Sequence, residues 1–164
     1  MIGIGFSTKK KNLLSRIIRA VTDAEFSHTW PVYDHPLYGS RIVVDADIKG
    51  IFEVKADEYT KTVDDVTILY PPAGVDISAG MPALSEELAR PYGVLNLIGH
   101  GIVLLLRRFG KRIRNPFSSW KKPACVEVSY TLLQAAGLLT DVDPEEETPQ
   151  SLHDRLVKLG WRAT

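Results

Sequence analysis

"RIVVDADIKGIFEVK", residues 41–55, decides the architecture. Two runs rich in β-branched residues, 41–48 and 50–55, meet at Lys49 and Gly50, the pattern of two strands joined by a tight turn. In the first run Ile42, Val44 and Ala46 fall on one face, and Asp45 and Asp47 on the other. A carboxylate at mid-strand between Val44 and Ala46 needs a specific partner if buried, whereas Asp47, nearer the turn, is more easily solvated.

Working outward, "FSHTWPVYD" (26–34) and "DVTILYPP" (65–72) also read as strands. "IGIGF" (2–6) alternates Ile2, Ile4 and Phe6 with glycines, as in a strand that another backbone approaches closely. Between the first two strands, "KKKNLLSRIIRAVTDA" (9–24) carries Leu13, Leu14, Ile17, Ile18 and Val21 at helical spacing. After the turn-rich "PPAGVDISAGMP" (71–82) the chain becomes helical, over 85–90, 94–108 and 125–136, with Gly137 as a natural stop. A last helix starts with Thr148 as N-cap and Pro149 in its first turn, and Leu152, Leu156 and Leu159 form its apolar stripe. "DVDPEEETP" (141–149) reads as an acidic surface loop. The order is α+β, and 164 residues suit one domain, 1–164, large enough to bury a core.

Composition limits the function. Lys+Arg and Asp+Glu are both 20, so no global field points to nucleic acid. A single cysteine forms no internal disulfide, which suits a reducing compartment or a thiol with a chemical role. The first twelve residues lack the basic-then-apolar order of a secretory signal, so the expected location is the cytoplasm. The apolar run "YGVLNLIGHGIVLLL" (92–106) is shorter than the roughly 20 residues of a spanning helix. Behind it Arg107, Arg108, Lys111, Arg112, Arg114, Lys121 and Lys122 form a basic stretch, read either as a solvated loop or as a contact for an anionic membrane surface.

Cys125 is the residue on which chemistry turns. It stands at the start of a helix, where unpaired N–H groups and the dipole favour a thiolate. It also shares a side with Val128, Leu132 and Ala136, and free cysteine is among the most buried residue types, so a plain core role stays open. Of the four histidines, His153 lies in an exposed-looking terminal helix, His100 inside the apolar run and His35 in a turn. His28 falls mid-strand on the alternating face of Phe26, Trp30 and Val32. A strand imidazole facing a helix-start thiol is the pairing of cysteine hydrolases, though a satisfied core histidine reads equally well. Asp45, ahead of Asp47, is the candidate to orient such an imidazole. One Cys and scattered histidines make a weak metal-ligand set, and no metal or cofactor is expected.

Taken together, "FSHTWPVYD", "RIVVDADIKGI", "YGVLNLIGH", "ACVEVSYTLLQAAGL" and "TPQSL", in that order, resemble the permuted branch of the NlpC-type, papain-like cysteine peptidase and amidase superfamily, the YiiX-like group. In that branch the histidine strand precedes the nucleophile helix. The resemblance implies a single papain-like domain, a small antiparallel sheet or barrel packed against helices. It implies Cys125 as nucleophile, His28 as general base and acid and Asp45 as the orienting residue. Glu127 matches a glutamate common two residues after the cysteine, while Val126 replaces a common serine. The activity it implies is amide hydrolysis through a thioester, with peptides of the peptidoglycan type as the commonest substrate. Two alternatives stand beside it. One is a lipid acyl hydrolase or acyltransferase at a membrane, using Arg107, Arg108, Lys111, Arg112 and Arg114, and the other is a non-catalytic binding module.

Overall fold

The computed structural model describes residues 1–8, 15, 19, 24–47, 49–91, 99, 103, 106, 110, 111 and 124–163. The helices expected over 9–24 and 94–108, His100, and the basic stretch apart from the exposed Lys111 lie outside these residues, isolated positions excepted.

Six strands form one open antiparallel sheet in the order β4-β3-β2-β1-β5-β6. They are β1 (Ile2–Thr8), β2 (His28–Asp34), β3 (Arg41–Asp47), β4 (Gly50–Lys55), β5 (Asp64–Tyr70) and β6 (Arg162–Ala163). Four α-helices occur among the described residues: α1 (Ala56–Tyr59), α2 (Met81–Glu87), α3 (Cys125–Ala135) and α4 (Pro149–Lys158). The architecture is thus α+β, and the sheet has edges rather than closing into a barrel.

The alternation read from residues 41–47 builds both faces of the sheet. Ile42, Val44 and Ala46 join Ile4, Phe6, Tyr33 and Leu69 under α2, α3 and α4, where Leu84, Leu132, Leu152 and Leu156 are buried. Val43 points the other way, with Trp30 and Val32, into a smaller cluster closed by Ala56, Tyr59 and Val63. Asp45 shares Val43's parity and lies on that second face. Burying a Leu side chain such as Leu132 stabilises by roughly 1.5–3 kcal/mol, and truncating it costs more because a cavity remains.

Two glycines allow this packing. The Trp30 ring lies flat on Gly5, where an added Cβ would sit 2.2 Å from the ring. The close neighbour expected from "IGIGF" is therefore an indole here. At Gly80 a Cβ would come within 2.0 Å of the Leu132 carbonyl oxygen, so the turn at Ser78–Gly80 presses directly on α3.

Several boundaries differ from those expected from sequence, for identifiable reasons. α2 spans Met81–Glu87 and not 85–90, because Gly80 serves as N-cap and Pro82 falls in the first turn. It ends before Ala89, whose φ is +63°. α1 is too short for any periodic signal to reveal it, and the same holds for the two-residue β6. Leu159 caps α4 instead of extending its stripe and is 48 % exposed. Glu147, inside the acidic loop, is buried and binds Ser151 Oγ at 2.6 Å and Arg155 Nη2 at 2.9 Å. His153 is likewise not an exposed residue, since its ring packs 5.1 Å from Phe6 and 5.0 Å from Phe26.

Candidate active site

Strand divergence creates the site. β2 pairs with β3 over Val32↔Val43, Tyr33↔Ile42 and Asp34↔Arg41. No pairing continues from Val32 back to His28, although β1 stays paired along β2 as far as Ser7↔His28. His28 is thus the first residue of β2 and not a mid-strand residue, and it keeps the face of Trp30 and Val32. Phe26, just before the strand, packs into the opposite cluster.

In the gap, His28 Nε2 lies 2.6 Å from Asp45 Oδ1. The side chains are 16 % and 4 % exposed, so this contact is shielded from water at its acid end. A carboxylate accepts, so Nε2 carries a proton and Nδ1 is left for another group. Cys125, at the start of α3, is the other group that acts on this imidazole, its charge raising the His28 pKa. Cys125 opens α3 with Ala124 as N-cap in extended conformation, and the Glu127 carboxylate turns back to accept the Ala124 N–H. This is one half of a capping box; it fixes the first turn, and with it the sulfur. The face of α3 expected from its spacing is also found: Val128 and Leu132 are buried and Ala136 packs at the core's margin.

Burial alone would lower the pKa of His28. The negative charge of Cys125, together with hydrogen bonds to Asp45 and Cys125, outweighs burial and pushes it up to about 10. The arrangement therefore favours the protonated form of His28.

Asp45 receives a further donor. The Tyr59 hydroxyl, at the end of α1, lies 3.3 Å from Asp45 Oδ1. Burial first, then the Asp45 charge, raise the Tyr59 pKa far above its ordinary value. The sequence does not reveal Tyr59, since "ADEY" after β4 carries no pattern that would direct its hydroxyl to β3. Asp47 acts elsewhere, its Oδ1 accepting the Lys49 N–H at 2.7 Å and so stabilising the β3–β4 turn. His35 caps its own hairpin, accepting the Leu37 and Tyr38 N–H groups and stacking on Tyr38. Neither His35 nor His153 belongs to the Cys125 cluster.

Among the described residues no group of three His, Cys, Asp or Glu side chains is placed to hold a metal ion, and no helix is long and apolar enough to cross a membrane. Compared with known proteins, the chain matches no family model and no curated protein significantly.

Proposed function

We propose that the protein is a cysteine hydrolase of the permuted papain-like type, acting on an amide bond through a thioester. The observation that carries this reading is the shielded His28–Asp45 pair, 2.6 Å apart, with a helix-start cysteine, Cys125, acting on the same imidazole: a base, an orienting carboxylate and a nucleophile from three separate elements.

In this mechanism His28 Nδ1 takes the thiol proton and Cys125 Sγ attacks the substrate carbonyl carbon. The C=O electron pair moves to oxygen, and the oxyanion accepts a hydrogen bond from the Cys125 N–H, in the helix turn whose N–H groups have no intrahelical acceptors. Collapse breaks the C–N bond, and His28 Nδ1–H delivers its proton to the departing amine. Water, deprotonated by the same nitrogen, then attacks the thioester and returns the sulfur. Asp45 keeps Nε2 protonated throughout, so Nδ1 is the nitrogen that exchanges protons. Peptide-type amides are the proposed substrates, in line with the family that the sequence resembles.

The experiment is alkylation of Cys125 with iodoacetamide at pH 7, compared with a model thiol, in the wild type and in His28→Gln. The expected result is a reaction much faster than the model thiol that falls to or below it in the variant. Equal rates in wild type and variant would remove the basis for a Cys125–His28 pair.

A further inference from the structure

Behind the three residues just described, a line of donors runs across the second face of the sheet. The Trp30 indole N–H donates to Ser7 Oγ at 3.1 Å. Tyr59 donates to Asp45 Oδ1 at 3.3 Å, and Ser7 is among the groups that act on the Tyr59 hydroxyl, working against the rise in its pKa. The indole can only donate and the carboxylate can only accept, so Trp30 points its hydrogen at Ser7 and Tyr59 points its own at Asp45. The elements involved are β2, β1, α1 and β3, so the line spans the sheet where β2 and β3 separate.

Packing fixes the line as firmly as hydrogen bonding does. The Tyr59 ring meets Trp30 edge-on, with centroids 5.1 Å apart at 71°. Trp30 is fully buried on Gly5, and Tyr59 is 3 % exposed. A tyrosine wanted only for bulk would be served by phenylalanine, whereas this hydroxyl donates to a buried carboxylate. The titratable groups that act on it are Asp45 and Cys125.

We infer that Tyr59 is a positioning residue for Asp45: its hydroxyl, held in place by the packing of its ring on Trp30, keeps the Asp45 carboxylate ionised and aimed at His28 Nε2. The inference rests on the hydrolase reading for its purpose, but its physical content concerns Asp45 alone. The charge of a carboxylate is favoured by each donor it accepts, and a hydrogen bond to a charged group is strong enough to move a titration by about one pH unit. Removing the hydroxyl therefore lets Asp45 take up a proton at higher pH.

The test is carboxyl ¹³C NMR of the full chain, with the Asp45 resonance assigned through Asp45→Asn. In Tyr59→Phe the Asp45 titration midpoint is expected to rise by about one pH unit, and the acidic limb of Cys125 alkylation to move the same way. Loss of packing alone would slow alkylation at every pH and leave the midpoint in place. An unchanged midpoint in a folded Tyr59→Phe protein overturns the assignment. Should that variant fail to fold, Ser7→Ala keeps the Trp30 and Tyr59 rings and removes the hydroxyl that accepts from Trp30 and acts on Tyr59. A smaller upward shift is expected there, and none overturns the inference. A shifted Asp45 with a Cys125 no faster than a free thiol would support Tyr59 while sinking the hydrolase reading, so the two fail separately.

Discussion

At the scale of single residues, the charge state of His28 is the most direct consequence of the geometry. Its native pKa of about 10 lies above the ordinary 6.5, so protonated His28 favours the folded state fully below pH 6.5. That contribution is lost as pH rises through about 10. Imidazole NMR on the wild type should show protonation persisting well above neutrality. In Cys125→Ala the midpoint should fall, because the charge on sulfur is the largest influence raising it. A midpoint unmoved by that substitution would show that Cys125 does not act on the ring. The two aspartates of β3 separate by role in the same way. Asp45→Asn should lower turnover by up to about 10⁴-fold, the scale of a misoriented triad imidazole, with the fold retained in far-UV circular dichroism. Asp47→Asn should leave turnover nearly intact, since it alters only the turn at Lys49. The reverse pattern in steady-state kinetics would assign the orienting role to Asp47.

Among the elements, α3 depends on what holds its first turn and what presses on its last. Glu127→Ala leaves the Ala124 N–H without its acceptor and should cost on the order of 1 kcal/mol, about 2–4 °C in Tm for a chain of this size. A calorimetric Tm equal to that of the wild type would mean that water replaces the carboxylate at no cost. The helix shows what can be read in advance. Its start at Cys125 and its stop at Gly137, with φ +83°, follow from local rules of capping and left-handed backbone. So do the Thr148 and Pro149 start of α4 and the division of β3 into Ile42, Val44 and Ala46 against Asp45 and Asp47. The candidate trio Cys125, His28 and Asp45 is legible because each occupies a position that its element type makes unusual. Tyr59 is not, because a four-residue helix has no period and its direction is set by β4, Trp30 and Gly5 together. The placement of His28 at a strand end is also hidden, since alternation gives a face but says nothing about where a neighbouring strand departs.

For the whole molecule, the open question of substrate class becomes a question of surfaces. If Arg107, Arg108, Lys111, Arg112 and Arg114 dock an anionic bilayer, each should contribute on the order of 1 kcal/mol, and binding should weaken with salt. The peptide reading predicts no sedimentation with anionic or neutral vesicles, for the wild type or for a variant with these five changed to Gln. Salt-sensitive sedimentation with anionic vesicles that vanishes in the variant would favour the lipid acyl reading instead. The pairing of Cys125 with His28 also has a kinetic meaning. The two lie 125 − 28 = 97 positions apart, so bringing them together is a long-range event, and contacts of this kind are the slow ones to form. Because the chain has a single cysteine, its labelling during refolding of the wild type at fixed pH follows one site, the start of α3. A pulse of thiol reagent during refolding would therefore time the docking of α3 on β2 without any introduced probe, the sulfur passing from the behaviour of a free thiol to that of the native site as the two elements meet.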